Sequence, residues 1–361
     1  MPPSPAVLSL RQLNRATLAR QGLLEPLPRR RPGELIRRIG SIQAQHPDWP
    51  PFALHARMAA ASRAPNLRLA RERREIVRAS LMRLTVHIVA ARDFWPMSTI
   101  SLPFRRRQWR LLYKQDPETS ALAQRISAAH GAVLDAMRDA PRAIHEIEDI
   151  LAAELPGVKI PPNRCLWRHF SGAVQLIHAP HEGETYGRQR YLPAADWLGP
   201  PPEEALDPEY AAQRVAETYL GAFGPASVDD LVAYVGRGDS LRRWRRAVGA
   251  LEDRLAHFTD DAGRALVDLA DAPRPEEEAP APPRLLARWD SLLLAYGTRD
   301  RTRVLPEEHR STVITNNADV LPTFLVDGFV AGTWLPRRGQ DGGVRVELRP
   351  FGRLRTVDRE A

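Results

Sequence analysis

The chain has 361 residues, 43% of them hydrophobic and 27% charged, and a single cysteine, Cys165, which excludes an internal disulfide and any multi-cysteine zinc or iron–sulfur site. No apolar run approaches the ~18 residues of a membrane span, and Met1-Pro2-Pro3-Ser4-Pro5-Ala6-Val7 lacks a charged region followed by an apolar one, so neither a membrane protein nor a signal peptide is expected, and the location expected is the cytoplasm. The net charge of +8 is uneven: residues 1–115 carry 22 Lys and Arg against 6 Asp and Glu, a net of +16, and the rest carries −8, so an anionic partner is expected on the N-terminal part.

Residues 8–22 place Leu10, Leu13, Thr17 and Leu18 near one face and arginines on others, with Gly22 as a stop, which is the pattern of an amphipathic helix. Pro32 starts a second helix, whose Leu35, Ile36 and Ile39 form an apolar stripe while Arg37 and Arg38 stay outside. There follows Ser41-Ile42-Gln43-Ala44-Gln45-His46-Pro47-Asp48-Trp49-Pro50. Pro47 disfavours a helical His46, and Pro50 and Pro51 delay any restart, so Gln43 and Gln45 are expected on extended backbone, facing one side ~6.6–6.8 Å apart. Two neutral amides in one space can hold a water, a sugar or a base edge without adding charge. Ordinary polar residues closing a helix give the same spacing, and Gln-x-Gln alone leaves both readings open.

Helices are predicted near residues 52–61 and 68–79, and residues 80–89 alternate Leu81, Arg83, Thr85 and His87 with Met82, Leu84, Val86 and Ile88, a strand pattern. Helices followed by a strand ribbon is the order of a winged helix-turn-helix. The order recurs with helices at residues 121–138, 141–155 and 163–171 and strands at 174–179 and 188–193, paired across 181–187. It recurs again with helices at 208–221, 227–234, capped by Ser227, and 240–251, and a ribbon within 255–269. Residues 271–283 read as a linker too polar and proline-rich to pack, and strands are expected at 285–296, 323–330 and 344–348, with Asp327-Gly328 as a hairpin turn. The fold class expected is α+β: three tandem winged helix-turn-helix units, residues 1–115, 116–200 and 201–270, and a small β-rich C-terminal domain, residues 284–361.

Of the 52 basic residues only Lys114 and Lys159 are lysine, and arginine grips phosphate bidentately and stacks on bases. Arg105, Arg106, Arg107 and Arg110 surround Trp109, a combination suited to backbone tracking and stacking, or to an ordinary charged linker helix. Arg242, Arg243, Arg245 and Arg246 flank Trp244 on the helix that would enter a groove, or form a solvated helix face. His87 shares a strand face with Thr85 and Arg83 and reads equally as a half-buried core histidine. His46 has no partner at zinc spacing, and no phosphate loop, serine elbow or paired carboxylates appear, so no metal and no cofactor is expected.

Leu13-Asn14-Arg15-Ala16-Thr17-Leu18-Ala19-Arg20-Gln21-Gly22-Leu23-Leu24, Ile42-Gln43-Ala44-Gln45, Met82-Arg83-Leu84-Thr85-Val86-His87, Phe223-Gly224-Pro225-Ala226 and Leu325-Val326-Asp327-Gly328-Phe329-Val330-Ala331-Gly332-Thr333-Trp334 together resemble the bacterial AlkZ/AlkX (YcaQ) winged-helix DNA glycosylase superfamily over nearly the full length. The resemblance implies a concave body and removal of bulky or cross-linked N7-alkylated purines from double-stranded DNA, with self-resistance to a DNA-alkylating antibiotic as one setting. Gln43-Ala44-Gln45 fits the Gln-apolar-Gln motif of the AlkZ-like branch, so the catalytic assignment passes to Gln43 and Gln45. DNA contacts are expected from Arg37, Arg38, His46, Trp49, Arg83, Thr85, His87, Arg105, Arg106, Arg107, Trp109, Arg242, Arg243, Arg245 and Arg246, in a nucleoid-associated monomer. Leu84 stands where a glycine is usual between Arg and Thr. The other reading is a non-enzymatic winged-helix transcriptional regulator.

Overall fold

Ser9 caps the first long helix: its hydroxyl accepts from the Gln12 N–H, and the Gln12 side chain accepts from the Ser9 N–H. In the computed structural model, which describes residues 5–28, 31–59, 67–180, 189–236, 240–315, 319–338 and 344–356, this helix, α1 (Leu10–Arg20), follows a short strand, β1 (Ala6–Leu8). Two of the arginines expected on its outer faces are instead buried, Arg15 and Arg20, where each meets a carboxylate, the half-exposed Asp327 and the buried Asp268. The helix packs on a later one, Pro208–Phe223.

One arrangement then occurs three times. The first runs α2 (Pro32–Arg38), β2 (Ile42–Gln43), α3 (Pro50–His55), α4 (Leu67–Glu72), β3 (Ile76–Ser80) and β4 (Val86–Ala90), with antiparallel sheet order β2-β4-β3. After α5 (Ala91–Tyr113) and α6 (Ala121–Ala128), the second runs α7 (His130–Asp139), β5 (Arg142–Ala143), α8 (Ile144–Ala153), α9 (Cys165–Ala173), β6 (Leu176–His178) and β7 (Arg190–Pro193), with order β5-β7-β6. Two short helices, α10 (Ala194–Leu198) and α11 (Glu203–Leu206), precede the third: α12 (Pro208–Phe223), a bridge from Ala226 to Val267, α13 (Val228–Val235), α14 (Leu241–Gly249), β8 (Leu255–Asp260) and β9 (Ala265–Leu269). Each has helix, short strand, two helices and a ribbon whose second strand carries the short one. β1 adds to the third sheet, parallel to β8.

The C-terminal part is a meander, β10 (Arg284–Leu286), β11 (Thr323–Val326), β12 (Phe329–Arg338) and β13 (Val344–Pro350), with α15 (Ser291–Leu294) and α16 (Arg310–Val313) in the connection after β10. Asp327 and Gly328 both take positive φ, 48° and 83°, as the tight turn between β11 and β12 requires. Of the strand expected over residues 285–296, only the beginning forms, because Asp290 caps α15.

Three further expectations change. The helix expected to residue 79 stops at Glu72, and the strand expected over residues 80–89 is interrupted at Arg83 and Leu84, where the hairpin between β3 and β4 turns. The segment expected to be an unpacked linker lies along α1: the carbonyls of Pro273, Glu277 and Ala279 accept from Arg20, Arg11 and Arg15, and Glu277 accepts from Ser9. Proline-rich backbone supplies free carbonyls, and arginine forks take them. The turn expected across residues 181–187 lies outside the described residues. Among the described residues no helix is long and apolar enough to cross a membrane.

Candidate active site

The hairpin β3–β4 builds the site. Arg83 and Leu84, at φ 54° and 58°, form its two-residue turn, closed by the Thr85 N–H and hydroxyl on the Met82 carbonyl at 3.1 Å each. The turn leaves His87 in register with Gln43 on β2, so the two side chains share a face. Arg83 reaches over both: Nη2 donates to Gln43 Oε1 and to His87 Nε2, each at 3.4 Å. Its Nη1 donates to the Tyr234 carbonyl, and the guanidinium sits over the Tyr234 ring at 5.5 Å. Because guanidinium is a donor only, the Gln43 carbonyl oxygen must face it and the NH2 must face away.

His87 Nδ1 donates to the Thr85 carbonyl at 2.9 Å, which fixes the tautomer and leaves Nε2 as the acceptor for Arg83. Burial, and then the neighbouring Arg83 charge, push its pKa down to about 3, so the ring is neutral at physiological pH. Gln45, just beyond β2, extends the ladder with its side chain: Oε1 accepts from the Val86 N–H at 3.2 Å. A backbone N–H is also only a donor, so this amide too presents its NH2 outward. Both glutamines therefore lie against the first two residues of β4 with their carbonyls engaged.

The peptide between them is clamped. The Ala44 N–H donates to the Val86 carbonyl at 2.7 Å, and the Ala44 carbonyl accepts from Arg78 Nε and Nη2 at 3.2 and 2.9 Å. Upstream, the Ser41 hydroxyl meets the Tyr234 hydroxyl at 2.8 Å, and the Ser41 carbonyl accepts from Ser291 at 2.8 Å.

The remaining expected contacts divide. Arg105 joins the hairpin, donating from α5 to the Ser80 carbonyl; burial lowers its pKa to about 10. Arg37 and Arg38 are exposed on α2. His46 faces Asp48 at 3.3 Å, and Trp49 packs on Phe52 and Trp334 with ring centroids 5.6 and 5.8 Å away. Arg106 is held by Glu118 and the Gly172 carbonyl, while Arg107 is exposed. Trp109 corrects the stacking expectation: it is 1% exposed, donates to the Cys165 carbonyl and packs on Tyr113 and His169, so it has no face for a base. On α14, Arg243 and Arg246 turn to Glu209, whereas Arg242 and Arg245 are exposed.

Comparison with known proteins joins this geometry to a family. The family model for AlkZ-like DNA glycosylases matches residues 36–361. The chain belongs to that family. An interstrand DNA cross-link repair glycosylase of Streptomyces sahachiroi is 33% identical over 166 residues, which span 44% of this chain and 42% of that relative. The solved structure of Streptomyces sahachiroi DNA glycosylase AlkZ is similar with a TM-score of 0.73 over 98% of this chain and 94% of that one, at 22% identity, a likeness of fold.

Seen in this AlkZ-like chain, the motif residues of the first helix and of the β11–β12 hairpin meet in space. Asn14 donates to the carbonyls of Gly328 and Arg303, and Arg11 and Arg15 both bind Asp327. Sequence reasoning missed Arg78 and Tyr234. Arg78 leaves a signal, an arginine in the middle of the apolar run Ile76-Val77-Arg78-Ala79; Tyr234 leaves none, since an aromatic on a helix reads as core.

Proposed function

We propose that the chain is a monofunctional DNA glycosylase that hydrolyses the N-glycosidic bond of bulky or cross-linked N7-alkylated purines in duplex DNA. Family membership supports the reaction class, and the cross-link repair relative supports the substrate class. The observation that carries the reading is the clamped Gln43-Ala44-Gln45 segment beside the Arg83 hairpin.

Alkylation at N7 makes the purine cationic, so the C1′–N9 bond breaks with its electron pair returning to a base that departs neutral. Water bonds to C1′ and gives its proton to solvent. No strong acid is needed, and a His87 held neutral with its lone pair on Arg83 supplies none. The site's task is to position water and meet a positive sugar with aligned dipoles. Gln43 orients the water: its carbonyl holds Arg83 by a long 3.4 Å contact and keeps a second lone pair. Gln45, its carbonyl bound to Val86, turns its NH2 to an oxygen of the deoxyribose or its 3′ phosphate.

The three recurrences read as winged helix-turn-helix units, residues 1–115, 116–200 and 201–270, forming a concave body around DNA, with residues 284–361 as the C-terminal domain and a monomer as the working form. Incubating the protein with duplex carrying N7-methylguanine, a bulky N7 adduct or an N7–N7 cross-link, then treating with alkali, should reveal strand breaks at the lesion. Replacing Gln43 or Gln45 by Ala should abolish them with binding retained. No breaks with any lesion, together with tight sequence-specific binding of undamaged DNA, would give the regulator reading instead.

A further inference from the structure

The arginines of this chain fall into two groups. Arg11 and Arg15 face Asp327, Arg20 faces Asp268 and Arg57 faces Asp290. By contrast, Arg31, Arg37, Arg38, Arg74 and Arg92 donate to no carboxylate among the described residues. These five, joined by Arg214, line one cleft of about 740 Å³ between α2, the start of β3, the end of β4 and α12. Glu34, Glu75 and Glu217 also line it and leave it cationic. Behind the wall stands Asp93, a carboxyl whose pKa burial raises while Arg37, Arg92 and Arg214 restrain it. Small-molecule sites are mostly apolar with a few placed polar groups; this lining is the reverse, and its charges come from several elements, as an extended polyanion requires.

We propose that this cleft is a second DNA-binding surface, which takes the phosphodiester backbone of the duplex flanking the lesion. The inference rests on the glycosylase reading only for the choice of DNA as the polyanion. The cleft lies at the opposite end of β3 and β4 from the Arg83 turn, and from Ala90 back to His87 and Val86, which face the amides, three to four residues span roughly 10–13 Å. At 3.4 Å per base-pair step that is about three to four base pairs from the amides. From Arg31 to Arg38 the helix runs about 10 Å, room for about three such steps.

The test compares two double variants that change net charge equally. Arg74→Glu/Arg92→Glu alters the cleft, and Arg345→Glu/Arg353→Glu alters exposed arginines on and after β13. Binding of an undamaged duplex of about 20 base pairs is measured from low to high KCl, with thermal melting to check folding. The cleft pair should weaken binding about tenfold or more and make the slope of log K against log salt shallower by about two, while the other pair leaves the slope unchanged. Equal effects of the two pairs, or no effect of the cleft pair, would overturn the proposal. If the charge reversals unfold the chain, Arg74→Gln/Arg92→Gln is read in the same way. Excision under saturating enzyme should survive in the cleft variant; an absence of excision already in the unaltered protein would count against the glycosylase reading and leave the binding comparison intact.

Discussion

Arg83 turns Nη1 and Nη2 inward, to the Tyr234 carbonyl and to Gln43 and His87, and this bears on which of two roles it has. On the proposed reading, a side chain so engaged orients Gln43 rather than gripping a phosphate. Hydrogen bonds from charged donors contribute about 1.5–3 kcal/mol, and the 3.4 Å length puts these at the low end. Arg83→Ala should therefore lower the single-turnover excision rate about tenfold, since 1.4 kcal/mol is one decade of rate, with the Kd for DNA little changed. Arg83→Lys should restore little of the rate, because a single ammonium does not reproduce the planar fork. A fall in affinity parallel to the fall in rate would make Arg83 a DNA contact instead. At this scale the two glutamines were legible as a motif, but their orientation was not: it depends on Arg83 and on the Val86 N–H, which lie 40 and 41 positions away in the chain.

The hairpin that carries Arg83 shows why a regular pattern can mislead. Residues 80–89 alternate as one strand would, yet the chain reverses at two left-handed residues with no glycine, asparagine or aspartate to announce it. Leu84 stands where the resemblance places a glycine, and its φ of 58° supplies the reason. A left-handed L-residue is disfavoured by about 1–2 kcal/mol, and glycine gives back about 0.5–1 in chain entropy. Leu84→Gly should thus raise stability by about 1 kcal/mol, seen as a higher urea midpoint at unchanged slope; an unchanged or lower midpoint would mean that packing of the half-buried Leu84 side chain outweighs its backbone strain. Turns with the usual chemistry were read correctly, as at Asp327-Gly328, and so was the Ser227 cap, whose hydroxyl accepts from the Asp230 N–H at 3.2 Å. The recurring helix and ribbon order was legible from periodicity, whereas β1, a three-residue strand recruited by β8, had no local signal.

Over the whole molecule, part of the charge imbalance between the N-terminal part and the rest is internal complementarity. Arg15, Arg20 and Arg57 from the basic part are buried against Asp327, Asp268 and Asp290 from the acidic part, so these charges fasten the N-terminal part to the later part of the chain. Asp268, fully buried, takes both Arg20 nitrogens and Arg274 at 2.7 Å; Asp268→Asn should destabilise by about 3–5 kcal/mol in urea unfolding, because it strands the Arg20 charge without a counterion. Titration adds a slope. His87 is held to about 3 and His130 to about 4, and burial also lowers His169 and, most strongly, His178. Unfolded, each titrates near 6.5, so below that pH the unfolded chain binds more protons and stability is lost as pH falls from 6.5 toward 3–4. The buried Asp230, which shares a hydrogen bond with Asp300 and is pushed up to about 7, works in the other direction: the folded chain holds its proton, and that contribution is lost as pH rises from about 4 to 7. Asp93 acts with the same sign. Four histidines outweigh two carboxyls, so urea stability should fall between pH 7 and pH 5, each unbalanced proton contributing about 1.4 kcal/mol per pH unit at most. His178 offers the clean check, since both its ring nitrogens are buried without a partner among the described residues and its ring packs on Tyr191. His178→Phe keeps the ring contact and loses no hydrogen bond. It should flatten the pH dependence by close to one proton, and an unchanged slope would mean that His178 is protonated, and therefore paired, in the folded chain.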